Sequence, residues 1–580
     1  MAVVPLAAIV VRPVLTGGIP GAIPIVQHLT LWVAVLGAAL AARENKLVAL
    51  ATQTFLPDGV LSRSARGFSA MVGAAVCATL VWGASDIIAV ERDLGSEIAL
   101  GFPTWLAQLV LPVGFGLLAL RLVWHAGGWG ARTAGLLGLA AGLWLAPSYE
   151  ILDGAPGWPW VMLVLVAAVA GAPIFTVLAG AAVFLYMTLF FPPAQVVLYA
   201  YERAIDPTLP AIPLFTLTGF ILAQGKATER LLRVFRAGVG WVPGGTAVVC
   251  VIVCAFFTVF SGASGVTILA LGGLLLPALL KEGYRDRFSV GLLTASGSLG
   301  LLLPPALPLI LYAVVAEISP EDLFVAGFLP GLVLIGLTAA WGAREGILTG
   351  AGRHPFSTTE VWPALWHAKW ELLLPCVVLG AYFSGWATLV ETSALAALYA
   401  AVVTGVVHRD FPLLGGLRSA FRECGVLVGG VLIIVAVAQG FTQYTLDADI
   451  PFRVLEWTRA QIESPVVFLL ALNAFLLLVG CVMDIFSAIV VVVPLMTAIG
   501  AAYGIDPIHL GIIFVANLEL GYMTPPVGLN LFFASYRFDR PLLEVYRAAV
   551  PFLLILGFGV VLITYVPWLS LGLLEWLGRR

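Results

Sequence analysis

The stretch GYMTPPVGLNLFFA, residues 521–534, decides the fold. It lies inside an apolar run that carries no charge from Leu520 to Tyr536. Its two prolines remove two backbone donors and push Thr524 out of helical geometry. In water such a stretch reads as a loop. In lipid a broken helix leaves carbonyls without partners, at several kcal/mol each unless protein or an ion meets them. The break therefore demands a reason.

The 580 residues are 61% hydrophobic and 11% charged, with a mean hydropathy of +1.04. Soluble domains carry about 25% charged residues, so this is an integral membrane protein. Runs such as 247–260, 466–483 and 552–571 are near-continuously apolar, and no ten-residue alternation suggests a β-barrel. A net charge of −3 gives no case for a nucleic-acid partner. The six cysteines fall in or beside apolar segments. Cys250 and Cys254 are four apart, but no metal spacing accompanies them, and they read as packing residues. No cleavable signal peptide is expected. Residues 1–11 are too short to span and read as a half-helix or the remainder of a longer start.

Lys/Arg placement sets the orientation. Arg43, Lys46, Arg63 and Arg66 place the loop 43–66 in the cytoplasm, and Glu91, Asp93 and Glu97 place 91–97 outside. Arg121 and Arg132 return the chain inside; a short span at 133–148 takes it out to Glu150 and Asp153. Residues 160–191, broken at Gly171–Pro173, read as two passes. Arg230, Arg233 and Arg236, spaced by three, read as one face of an interfacial helix. Lys281, Arg285 and Arg287 are also inside, although 243–280 is apolar throughout. That segment must go in and come back, as a helical hairpin with its tip near SGASG, 261–265. Glu317, Glu321 and Asp322 lie outside, Arg344 through Lys369 and Arg409 through Arg422 inside, and Asp447 and Asp449 outside. A second hairpin, 465–500, enters from the outside with its tip near GCVMD, 480–484. Arg579 and Arg580 end outside, the one clear exception to the charge rule.

The hairpins belong to a repeat. GLLLPPALPLILYA (300–313) and GYMTPPVGLNLFFA share a glycine, a three-residue gap and a proline pair. Pro304 pairs with Pro525, Gly291 with Gly511 and Pro277 with Pro494, at offsets of 221, 220 and 217 residues. One copy starts from a cytoplasmic hairpin and the other from a periplasmic one, so the copies are inverted. Inverted repeats with broken helices mark secondary transporters with a site at the membrane midplane. Unwound carbonyls there can hold a cation, while half-helix N-termini can face an anion.

At these residues the sequence resembles the tripartite ATP-independent periplasmic (TRAP) transporter family. The large membrane subunit of that family looks similar over about 158–575. The matching stretches are IPLFTLTGFILAQG (212–225), FSGASGVTILALGG (260–273), LLPALLKEGY (275–284), GSLGLLLPPALPLILYA, and NLELGYMTPPVGLNLFFAS (517–535). HLTLWVAVLGAALAARENK (28–46) makes 1–130 resemble the small membrane subunit, with 131–157 as the connecting helix and loop of a fused version. The resemblance implies an all-α polytopic membrane protein of elevator type. Its scaffold would be the N-terminal small-subunit helices, and its large permease part 158–580, with repeat 1 about 243–340 and repeat 2 about 465–571. It implies a sodium-driven importer in the bacterial inner membrane, fed by a separate periplasmic solute-binding protein and taking a small organic anion, mostly carboxylates in this family. The first sodium site of the family maps onto Ser261, Ser264, Gly300, Leu303 and Pro305. The second maps onto Gly480, Gly521, Thr524 and Val527. SGASGVTIL departs from the commoner Asp-containing tip, and TLVETSA (388–394) departs from the usual TPTEA helix start.

Other polar residues keep two readings. Asp484 and Glu519 are ionisable at membrane depth, which points to function, yet Asp484 can equally cap the returning arm. Asn517 and Asn530 are polar neighbours of the second break, for substrate or for structure. Glu391 reads as a proton or substrate site or, by preference, a group near the outer surface, and His509 as an interfacial one. Enzyme chemistry finds no footing: there is no HExxH, and GFILAQGKA (219–227) fails as a phosphate loop. SGASG is not a GxSxG elbow, and no base accompanies Ser264 for an intramembrane hydrolase. No cofactor is expected beyond coupling sodium ions. A stand-alone carboxylate symporter is the alternative reading.

Overall fold

The computed structural model describes residues 1–12, 19, 21–49, 59–262, 264–351, 357–525 and 528–579. Among them the only strands are the short pair Glu97–Ala99 and Phe102–Pro103; the rest of the ordered structure is helical. Nine described helices are long and apolar enough to cross a membrane. The all-α polytopic class stands.

Packing divides the chain into two units. One comprises Val3–Pro213 and Arg422–Val454, the other Leu214–Phe421 and Leu455–Arg580. This division cuts across the sequence boundary at 157. Residues 158–213 and 422–454 pack with the N-terminal helices.

In the first unit, helices Ala22–Arg43, Val60–Leu94, Val110–His125 and Trp129–Leu145 pack closely. Gly138 and Gly142 of the last of these lie against the backbone of Met71 and Ala75, where a Cβ would have no room. Small residues let membrane helices approach this closely, because lipid supplies no hydrophobic drive between them. Gly37 and Gly429 meet backbone to backbone for the same reason. Polar ties add orientation: Arg203 donates twice to Gln439, at 2.9 and 2.7 Å. Tyr186 Oη donates to Asp447 at 2.8 Å.

The second unit holds both hairpins. The first is Gly245–Ser261 and Ser264–Lys281; the second is Pro465–Val482 and Ile485–Ala502. At about 1.5 Å per residue each arm is roughly 25–27 Å long, short of a 30 Å hydrocarbon core. Each hairpin is followed by a broken helix. Asp286–Ser296 and Leu307–Ala316 flank the first break, Pro507–Gly521 and Leu529–Phe538 the second.

The repeats interleave. The returning arm Ser264–Lys281 packs on Leu529–Phe538, and the returning arm Ile485–Ala502 packs on Leu307–Ala316. Each hairpin is thus seated on the far half of the other repeat's broken helix. Asp286–Ser296 and Pro507–Gly521 likewise pack against the long helices Leu542–Tyr565 and Pro320–Thr349. Arg579, the exception to the charge rule, pairs with Glu321 at 2.7 Å and Asp322 at 3.1 Å, so its charge is met by the first turn of Pro320–Thr349.

Two polar residues in the first turns of helices are packed into protein. His509 is 3% exposed; its Nδ1 lies 2.6 Å from Ser570 Oγ and its Nε2 3.2 Å from the Thr564 carbonyl. Glu391 is buried and closes a capping box, accepting from the Thr388 amide at 2.9 Å while Thr388 Oγ1 accepts from the Glu391 amide at 3.3 Å. The motif TLVE carries that signature, which satisfies two helix-end donors at once.

Candidate functional site

In each repeat the hairpin tip meets the break that follows it. At the first, Gly300 sits against the outgoing arm Gly245–Ser261; a Cβ there would stand 2.8 Å from Thr258 Cβ and run into the Ala255 carbonyl. Leu301, Leu303 and Ala306 donate to the carbonyls three residues back, at 2.9, 3.1 and 3.0 Å. Those turns satisfy the unwound amides locally. The Gly300 and Leu303 carbonyls each accept one such bond, and a carbonyl has a second lone pair to offer a cation. Ser261 and Ser264 are buried at the tip. The Ser261 hydroxyl lies 3.4 Å from Thr267 Oγ1 and 3.5 Å from the Thr258 carbonyl. Pro305 is buried, in a cis peptide with Pro304. Ala263 of the tip lies outside the described residues.

Sequence reasoning missed Thr258 and Thr267. The two hydroxyls lie 2.7 Å apart across the hairpin, and Thr258 Oγ1 also stands 2.9 Å from the Gly297 carbonyl at the head of the break. Both are fully buried. The signal was present in TVFSGASGVT, where a threonine stands three residues before one tip serine and three after the other.

At the second repeat Gly480 and Gly521 put backbone against backbone. The tip carbonyl of Cys481 accepts from the Gly528 amide at 3.2 Å, so hairpin and break share a hydrogen bond. Tyr522 Oη accepts from the Ile485 amide at 2.7 Å, a second tie. Thr524 is half-buried; its hydroxyl donates to the Leu520 carbonyl at 3.0 Å and its amide to Gly521 at 2.9 Å. Val527 and its neighbour Pro526 lie outside the described residues.

Among the four polar candidates, Asp484 is the N-cap of Ile485–Ala502. It accepts from the amides of Phe486 and Ser487 at 3.0 and 3.1 Å and from Ser487 Oγ at 2.6 Å. Asn517 binds Asn473 Oδ1 at 2.6 Å and the Ile513 carbonyl at 2.9 Å, tying Pro507–Gly521 to the outgoing hairpin arm. Asn530 crosses between repeats, donating to the Thr294 carbonyl at 3.3 Å, while its Oδ1 has no partner among the described residues. Glu519 is 2% exposed, and neither carboxyl oxygen has a side-chain partner among the described residues. The Ser296 hydroxyl is also buried and unpartnered there. Asp484 and Asn517 are therefore committed to helix structure. Asn530 and Glu519 keep polar atoms to spare.

Backbone carbonyls and hydroxyls gathered at two opposed breaks are hard oxygen donors of the kind a cation can use, with no nucleophile–base pair among the described residues there. This is the design of a membrane transporter. Residues 161–569 match the tripartite ATP-independent periplasmic transporter family, DctM component, and residues 1–127 match its DctQ component. The isethionate TRAP transporter permease protein DctMQ of Oleidesulfovibrio alaskensis is 32% identical over 512 residues, 85% of this chain and 79% of that protein. The C4-dicarboxylate TRAP transporter large permease protein DctM of Pseudomonas aeruginosa is 37% identical over 381 residues, 65% of this chain and 88% of that one. The solved Alcanivorax borkumensis YdaH transporter superposes with a TM-score of 0.46 at 17% identity, covering 62% of this chain and 85% of that one. The chain belongs to the tripartite ATP-independent periplasmic transporters and carries both permease components, small and large, in one polypeptide.

Proposed function

We propose that this chain is the permease of a sodium-coupled, elevator-type importer in the bacterial inner membrane, taking a small organic anion from a periplasmic solute-binding protein. The observation that carries the reading is the repeated meeting of a hairpin tip with a helix break. Ser261, Ser264, Gly300, Leu303 and Pro305 would form one sodium site, and Gly480, Gly521, Thr524 and Val527 the other, through hydroxyls and carbonyl oxygens. Asn530 and Ser296 supply unpaired polar atoms near the crossing of the repeats for the substrate. Glu519 supplies a carboxyl that a cation can match. Relatives named for isethionate and C4-dicarboxylates support an organic anion as cargo.

The energetics support two ions. A sodium ion entering down the potential gains about 2.3 kcal/mol per 100 mV. Two would supply roughly 4.6 kcal/mol, more than a thousandfold accumulation of a neutral solute. A monoanion cancels about half of that term, which favours two or more ions. The test is uptake into liposomes with the sodium gradient, the potential and the binding protein each omitted in turn. Full uptake without the binding protein would make the chain a stand-alone symporter instead.

A further inference from the structure

One charged cavity has no part in the transport site. It encloses about 570 Å³ between helix Ala227–Val239 and the start of helix Thr358–Phe383, and its lining includes Arg230, Arg233, Arg236, Thr359, Glu360 and His367. Two of the three guanidiniums are already matched. Arg230 pairs with Glu371 at 2.6 Å and Asp410 at 2.7 Å; Arg236 pairs with Glu282 at 2.6 Å. Arg233 has no ion pair or hydrogen bond among the described residues. Glu360 is exposed and pairs with none of them among those residues. Thr359 Oγ1 lies 2.6 Å from Ser357 Oγ. That contact uses one of the two hydroxyl protons and leaves the other for an outside acceptor.

What borders the cavity says which anion fits. Thr359, Pro363 and His367 recur every fourth residue and face the cavity. On the neighbouring stripe Trp362 is 71% exposed and Trp366 is 61% exposed, and Lys369 Nζ stands 3.4 Å from the Trp366 ring centroid. Exposed tryptophans beside basic residues mark the depth of lipid headgroups. We propose that the cavity binds the phosphate headgroup of an anionic phospholipid, Arg233 and the Thr359–Ser357 hydroxyl pair holding the phosphate and the acyl chains lying along Trp362 and Trp366. A free phosphate would use the first set of groups and leave the second idle.

The experiment is a lipid titration of the full chain, stripped of lipid in detergent and read by native mass spectrometry. Wild type retains one phosphatidylglycerol in preference to phosphatidylcholine with the same acyl chains. One basic residue near a membrane surface is worth about 1 kcal/mol, so Arg233→Gln weakens phosphatidylglycerol about fivefold. Arg233→Lys keeps most of the affinity, and Arg63→Gln, an exposed arginine outside the cavity, changes nothing. Trp366→Ala weakens the lipid as well and carries the test should Arg233→Gln fail to fold. Equal phosphatidylglycerol binding by wild type, Arg233→Gln and Trp366→Ala overturns the proposal. So does glycerol 3-phosphate binding as tightly as the lipid, which would make this a soluble-phosphate site.

Discussion

Gly521 and Gly480 touch backbone to backbone: a Cβ on Gly521 would lie 2.6 Å from the Gly480 Cα. No side chain fits there without moving the hairpin off the break. Gly521→Ala is expected to cost about 1–3 kcal/mol of stability through overpacking. Uptake should fall far more than thermal stability in detergent. Unchanged uptake would show that the tip and the break need not stay in register.

Thr524→Val keeps the shape of the side chain and removes its hydroxyl. The lost bond goes to Leu520 within the same turn, so the expected stability loss is only about 1 kcal/mol. If the hydroxyl is a ligand, sodium affinity should weaken roughly tenfold, equivalent to about 1.4 kcal/mol. The measurement is sodium-dependent uptake or sodium-induced thermal stabilisation. Should sodium dependence survive intact, only the carbonyl of Thr524 remains a candidate.

Thr258 makes the contrasting case. Its hydroxyl stands within hydrogen-bond distance of Thr267 Oγ1 and of the Cys254 and Gly297 carbonyls. Thr258→Val leaves the buried Thr267 hydroxyl with only its 3.4 Å contact to Ser261 and is expected to cost about 1–3 kcal/mol. Thr524→Val, whose hydroxyl bond stays within one turn, should cost less. Thermal unfolding in detergent orders the two. The reverse order would remove Thr258 as the clasp of the first tip.

Asp410 offers a test by pH. Burial works against its ionisation, but hydrogen bonds from Arg230 and from the Lys226 amide outweigh that and hold its carboxyl below the usual range. A depressed folded-state value stabilises the fold above the unfolded value, and that stability is lost as pH falls through the folded one. Glu371 shares Arg230, and His408 Nε2 stands 3.5 Å from Glu371. Removing one partner of so buried a pair costs about 3–5 kcal/mol. Asp410→Asn should therefore lower the melting temperature at pH 7, with the gap to wild type closing below about pH 4. A gap of constant size across that range would place the effect in packing rather than charge.

Orientation can be checked on the second unit alone. Single cysteines replacing Lys281, at the end of the first hairpin, and Glu463, just before the second, in a background lacking the native cysteines, should be labelled from opposite sides of the membrane. Labelling of both from one side would remove the inverted relation of the repeats.

The hairpins and breaks were legible because lipid permits a proline pair inside an apolar run only for cause, and two pairs at nearly one offset gave the repeat. The fused permease was legible in stretches such as FSGASGVTILALGG. Placement within the packing was not. The hydrogen bonds of His509 leave no local trace because its partners Ser570 and Thr564 are more than fifty residues away. Asn517 kept both a substrate and a structural reading because its partner, Asn473, lies on another helix. The capping role of Glu391 is announced by TLVE, with Glu three residues after Thr388. The grouping of 158–213 and 422–454 with the N-terminal helices rests on contacts such as Gly37 against Gly429, which no local pattern encodes.

The interleaving of the repeats also constrains how the protein is made. The returning arm of the first hairpin beds on Leu529–Phe538, which leaves the ribosome only after the whole second hairpin. Until then the returning arm, whose Gly265 and Gly272 lie against Phe533 and Phe538, lacks the helix it beds on, although its tip can already meet the break of its own repeat. Neither half of the repeat is thus a self-sufficient folding unit. During biogenesis the early hairpin must wait, sheltered by water at the bilayer surface or by the insertion machinery, for a helix that has yet to be translated.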